Sequence, residues 1–225
     1  MNLLAIDTAC SVLSIAVAAE DEIFCAETEA GLKHSEIVMN IIDSQMKKAS
    51  LAPSKLDGVI CMGGPGSFTG LRIGYSIAKG LALSLSVPFI AVPTLDCMAF
   101  AYSSGEVVFP VIEARKNSWF FAIYHGEKII KPASEAAAAQ ISDEIIKTAE
   151  IKEKITLTGS GAAPLYASLT QEAVKYIIYD NENRGYAKEL IAIVKKQNLL
   201  NNDNSAILYS GPEYIRKTDA ELNLR

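Results

Sequence analysis

The sequence predicts an α/β protein of two related halves, each opening with antiparallel strands and continuing through alternating helices and strands. Three observations predict it. The stretches "NLLAIDTA", "SVLSIAVAA" and "EIFCAETEA" follow one another with only tight turns between, as in an antiparallel meander. A glycine-rich loop, "GGPGSFTGLRIG" at residues 63 to 74, joins the continuous apolar run "GVICM" to the helical pattern "LRIGYSIAKGLALSL". A related pattern starts again after "AYSSGE", where "VVFPVIEAR" and "SWFFAIYHG" read as a hairpin.

The elements follow in order. After the meander, "HSEIVMNIIDSQMKKAS" reads as a helix over residues 35–49, with His34 or Ser35 at its start and Pro53 beyond its end. "GVICMGG" is a strand, residues 69–85 a second helix, and "PFIAVPT" a further strand. Three antiparallel strands, then helix, strand, helix and strand, is the order of a ribonuclease-H-like unit. In the second half, "EKIIKPASEAAAAQISDEIIKTAE" reads as a turn followed by helix. "KITLTGSGA" reads as a strand entering a small glycine loop, and the stretches from "YASLTQEAVKYIIYD" to "GYAKELIAIVKKQNLL" as further helix with a strand among them. The expected lobes are residues 1–104 and 105–225, with the last helix able to return to the first lobe.

Composition narrows the function. Half of the 225 residues are hydrophobic, which supplies a sizeable core, and the net charge is −5. An acidic chain is not a general nucleic-acid binder, because displacing phosphate counterions needs basic excess. The N-terminal segment lacks a basic region and is interrupted by Asp7, so it is not read as a signal peptide, and no run reaches membrane-spanning length. Cys10, Cys25, Cys61 and Cys97 are scattered without a C-x-x-C pair. They read as reduced thiols of a cytoplasmic protein rather than disulfides or zinc ligands.

The glycine loop admits more than one chemistry. A strand, glycine loop and helix can cradle phosphate on backbone N–H groups. This loop is neither G-x-x-x-x-G-K-[ST] nor G-x-G-x-x-G, so a sharp turn with Ser67 or Thr69 capping the helix is the simpler reading. Contact with a ligand or a partner stays open. Arg72, one turn into the helix, opposes the helix dipole and calls for an acid or an anion. Asp7 and Thr8 end the first strand, where a carboxylate could hold a nucleotide; no glycine follows, which favours a structural turn. The candidate nucleotide or anion contacts are therefore Asp7, Thr8, Gly66, Ser67, Thr69, Arg72 and, from "EARKNSW", Arg115, for which an internal pair with Glu113 is the simpler alternative. His34 and His125 are far apart and form no H-x-x-x-H, so no metal site and no catalytic residue is assigned. Ser67 lacks a G-x-S-x-G elbow.

Both helices carry more apolar surface than one sheet needs. At 100° per residue the apolar and small residues of the second helix span about 220°, and those of the first about 200°, against the roughly 100° of a surface helix. Gly70, Gly74, Ala78 and Ala82 step by four and would let another helix come close. The expected partner face is Ile37, Ile41, Met46, Gly70, Leu71, Gly74, Tyr75, Ala78 and Ala82, with Tyr75 and Leu71 as anchors.

"GGPGSFTGLRIG", with "LLAIDTA" at the start, "KHSE" opening the first helix and "GPEYIRKTDAE" near the end, resembles the TsaB (YeaZ) family along nearly the whole chain. The resemblance implies the two-lobed actin-like ATPase fold. It also implies a non-catalytic paralogue of TsaD in the synthesis of threonylcarbamoyladenosine, beside the anticodon of transfer RNAs that read codons beginning with A. It implies pairing with a TsaD-like subunit through the first-lobe helices, a TsaE-like ATPase as third component, and a homodimer when alone. Transfer RNA is then met only through the complex, no cofactor is held tightly by the chain alone, and ATP belongs to the assembled complex. The chain departs from the family at Glu113, where an aspartate is expected before Ala-Arg. The alternative is a stand-alone enzyme of the same fold, a peptidase or a small-molecule kinase.

Overall fold

The computed structural model describes residues 1–29, 31, 33–102, 105–115, 117–150, 154–201 and 211–212. The chain divides into two compact units. One comprises Met1–Ser103 with Glu182–Pro212, and the other runs over Ser104–Asn181. The segment that begins at Glu182 and carries "GYAKELIAIVKKQNLL" is thus grouped with the first unit by its contacts, whereas the sequence alone suggests a cut at 104/105. Most of the "GPEYIRKTDAE" motif lies outside the described residues.

In the first unit, β1 (Leu3–Asp7), β2 (Val12–Ala19) and β3 (Glu22–Glu29) form the meander. Then follow α1 (His34–Lys48), β4 (Gly58–Gly64), α2 (Phe68–Leu85), β5 (Phe89–Pro93) and the short α3 (Thr94–Phe100). The sheet order is β3-β2-β1-β4-β5, with β1, β4 and β5 parallel. β1 and β4 are buried along their whole length, which explains why they read as unbroken apolar runs. Leu4 and Ile6 of β1 share a core with Val38 and Ile42 of α1 and Tyr75, Ala78 and Ala82 of α2. α7 (Ala187–Gln197) packs on β1, β2, β4 and α3. Successive strand residues alternate faces, so β1 offers one set to α1 and α2 and the other to α7.

The second unit contains β6 (Val107–Arg115), β7 (Ser118–His125), β8 (Lys128–Ala136), α4 (Ala138–Ala149), β9 (Ile155–Thr158), α5 (Ala162–Tyr166), α6 (Gln171–Val174) and β10 (Ile177–Tyr179). Its sheet order is β10-β9-β6-β7-β8. β6 is antiparallel to β7 and parallel to β9, β7 is antiparallel to β8, and β9 is parallel to β10. Strand for strand this repeats the pairing of the first unit. Both sheets therefore have the ribonuclease-H-like plan, although the two halves share no residue-level repeat. The core of the second unit gathers Phe109, Val111, Trp119, Phe121, Ile141, Ile145 and Leu157.

One sequence expectation is corrected and one element is added. Residues 128–136 form strand β8 rather than a turn and helix. Among the described residues β8 is an edge strand bonded only to β7, so Pro132 removes no described ladder partner on its other side. Ile129 and Ile130 both stand half-exposed, which erases the alternation that marks a half-buried strand. Helix α3 is the added element; it follows β5 with no loop, Thr94 coming directly after Pro93, so the sequence pattern does not separate it from the strand.

Phe109 is fully buried and stacks on Phe121 with ring centroids 6.4 Å apart. Phe109→Ala is expected to lower stability by about 3–5 kcal/mol, read as a shift in the urea midpoint at unchanged slope.

Candidate docking face and glycine loop

The glycine loop is the point where the first strand turn meets α2. Ser67 caps the helix, its Oγ accepting the Gly70 N–H at 3.2 Å. The Ser67 N–H donates to the Ala9 carbonyl at 2.7 Å, and Leu71 N–H to the Ser67 carbonyl. Thr8 Oγ1 donates to the Gly70 carbonyl at 2.8 Å. A Cβ at Gly70 would overlap the Thr8 carbonyl oxygen, and one at Gly74 would come within 2.5 Å of Thr8 Oγ1. The β1–β2 turn therefore lies directly against the start of α2. Three of the amides that a phosphate cradle would offer are engaged inside the chain.

Asp7 is part of the same arrangement. It is 1% exposed; Oδ1 accepts the Ala9 N–H at 3.0 Å and Oδ2 accepts the Tyr186 N–H at 2.9 Å. Burial pushes its carboxyl up to about 6, against the lowering effect of the two N–H groups, with Glu189 and Glu27 adding to the rise. Asp7, Thr8, Gly66 and Ser67 thus come together as expected, but as a structural joint whose polar atoms face one another. Thr69 and Arg72 are exposed, and the Arg72 guanidinium stacks 3.8 Å over the Phe68 ring. Arg115 closes β6 in the other unit, and its side chain lies outside the described part.

The expected partner face is also corrected. Gly70, Gly74, Ala78 and Ala82 turn toward the protein's own sheet. Leu71 and Tyr75 are buried with them, Tyr75 meeting Phe89 edge-on at 5.4 Å between centroids, and Met46 is buried in the same core. Small residues sit there because α2 must approach the β1–β2 turn closely, not because a second helix does. A wide apolar arc does not say which half faces inward. Ile37 and Ile41 keep partial exposure. The apolar groups left open on this face are Met39 at 48%, Phe68 at 43% and Leu83 at 63%, with Ile73, Ile77, Leu81 and Leu85 partly exposed. Met39, Phe68, Ile73 and Ile77 border a shallow cleft between α1 and α2 that is edged by the hydroxyls of Ser35, Thr69 and Ser76. The signal that could have found them was their position on the side of the arc away from the glycine row.

No group of His, Cys, Asp or Glu side chains suited to a metal occurs among the described residues, and no described helix is long and apolar enough to cross a membrane.

Two ribonuclease-H-like units in one chain define the actin-like ATPase fold. Residues 27–224 match the family model described as "TsaD: tRNA N6-adenosine threonylcarbamoyltransferase". The chain is 36% identical over 130 residues to the tRNA threonylcarbamoyladenosine biosynthesis protein TsaB of Bacillus subtilis, covering 55% of each chain. It is 33% identical over 132 residues to that of Haemophilus influenzae, covering 57% of this chain and 56% of the relative. The matched regions thus span little more than half the length of these relatives. A crystal structure of YeaZ from Pseudomonas aeruginosa superposes with a TM-score of 0.76 at 21% identity, covering 95% of this chain and 99% of that one, which shows the shared fold. The chain belongs to the TsaB (YeaZ) family.

The joint makes a stability prediction. Gly70→Ala is expected to cost more than about 2 kcal/mol, because the carbonyl it meets belongs to the backbone and cannot swing away. Tyr75→Asp should unfold the isolated chain, by burying a charge among apolar groups. Thermal melting of both variants checks this; a Tyr75→Asp melt within a degree of the parent would place Tyr75 outside the core.

Proposed function

We propose that the chain is an accessory subunit in the synthesis of threonylcarbamoyladenosine. It binds and activates a TsaD-like paralogue, with a TsaE-like ATPase as third component. The complex moves the threonylcarbamoyl group from threonylcarbamoyl-AMP to the adenosine beside the anticodon of transfer RNAs that read A-starting codons. The single observation that carries a subunit role is the open apolar face of α1 and α2, where Met39, Phe68 and Leu83 stand in solvent beside partly exposed isoleucines. The names of the relatives supply the pathway.

The interface of this proposal is Met39, Phe68, Ile73 and Ile77 with Ile37 and Ile41, in place of the glycine row. Without the paralogue the same face serves a two-fold homodimer. Catalysis is assigned to the paralogue, because Asp7, Thr8 and Ser67 are engaged in holding this chain together. Transfer RNA is met through the complex.

Depletion of the chain should remove threonylcarbamoyladenosine from transfer RNA, measured by nucleoside mass spectrometry; an unchanged level with no second gene copy rejects the role. Met39→Glu should leave the melting temperature nearly unchanged, since exposed substitutions cost within about 0.5 kcal/mol. It should weaken co-purification with the paralogue at least tenfold by leaving a charge desolvated. A variant that still pairs at parental strength puts the interface elsewhere.

Titration calorimetry of the isolated chain with ATP should give weak or no binding. A tight stoichiometric isotherm would reassign the glycine loop.

A further inference from the structure

Residues 180–186 link β10 to α7 without regular secondary structure, and they return the chain to the first unit at Glu182. Three carboxylates from two strands hold this link. The Asn183 side-chain amide donates to Glu29 at 2.9 Å, the Gly185 N–H to Glu27 at 3.1 Å, and the Tyr186 N–H to Asp7 at 2.9 Å. Gly185 lies against Ser14 so closely that a Cβ would overlap the serine side chain. Arg184 lies between the rings of Tyr102 and Tyr186, 5.7 and 5.4 Å from their centroids. The segment is therefore fastened by side-chain acceptors rather than by a ladder, as in regions that open locally before the whole fold does.

We propose that residues 183–186 form a strap that opens and closes over the β1–β2 turn, with protonation of Asp7 controlling its closure. When closed, the strap shuts Asp7 away from water; when open, it hydrates the carboxylate. The groups facing Asp7 are Glu27 from β3, Glu189 from α7 and the thiols of Cys61 on β4 and Cys97 on α3. Lys188 and Arg184 act on Glu189 rather than on Asp7. Among the described residues, Asp7 thus has two carboxylates acting on it, and the N–H groups of Tyr186 and Ala9 offset its burial. With the closed-state value near 6 and an ordinary value of 3.8, the closed strap holds a proton that the open one releases. The sign follows by linkage: closure is favoured at low pH and is lost progressively as pH rises from about 4 to 6, by up to roughly a hundredfold in the opening equilibrium, which levels off above 6. Opening would also loosen α2, because Thr8 and Ala9 hold its first turn.

The test is amide hydrogen exchange of the whole chain from about pH 4 to 8, each rate divided by that of the unfolded peptide at the same pH. Peptides spanning 182–188 and 7–12 should lose protection by up to about a hundredfold as pH rises from about 4 to 6 and level off above it, while peptides of β6 and β7 hold theirs. Asp7→Asn should flatten this profile; Glu27→Gln should lower protection but keep the pH dependence. An unchanged profile in Asp7→Asn, protection that grows with pH, or a profile lost in Glu27→Gln overturns the assignment. If Asp7→Asn does not fold, carbon NMR titration of the Asp7 carboxyl in the unaltered chain decides. A midpoint near 6 supports the strap, and one near the ordinary carboxylate value overturns it.

Discussion

The first unit depends on the close approach of the β1–β2 turn to the start of α2. Thr8 reaches the Gly70 carbonyl, Ser67 reaches the Ala9 carbonyl, and the absence of side chains at Gly70 and Gly74 leaves the space for both. A helix carrying ordinary side chains at those two positions would be pushed off the sheet, and the core shared by Leu4, Ile6, Val38 and Tyr75 would open. The loop that looks like a phosphate cradle is thus a contact between two stretches of backbone, made hydrogen bond by hydrogen bond.

The same contact accounts for the character of α2. Its small residues face inward together with Leu71 and Tyr75, so its other large apolar ones are divided between the seam with α1 and the open face. Ile73, Ile77, Leu81 and Leu85 pack against the core while remaining partly exposed, and Phe68 and Leu83 stand further out. A helix that must lie close to a sheet along its small row leaves part of its bulk outward. The partner surface is in this sense a consequence of the joint.

On the other side of β1, Asp7 carries the joint to the returning chain. One carboxylate oxygen shapes the turn through Ala9, and the other holds Tyr186 at the start of α7. Two segments nearly the whole length of the protein apart are held at one buried carboxylate. Burial makes it an expensive acceptor to keep ionised, which couples the joint to pH.

The sequence by itself determined the class of fold, the meander, the strand and helix flanking the glycine loop, and the cap at Ser67. Each of these rests on local periodicity or on a few neighbouring residues. It also carried the family, through a motif whose residues are contiguous. Only the tertiary structure decided which half of the α2 arc faces inward, since a period of 3.6 residues marks a wide apolar arc without orienting it. The structure alone brought Tyr186 to Asp7 and turned Asp7 from a candidate ligand into an internal acceptor, because no pattern links residues so distant in the chain. It also made residues 128–136 an edge strand, for there the pairing with β7 outweighs a proline and a missing alternation that argue locally for a turn.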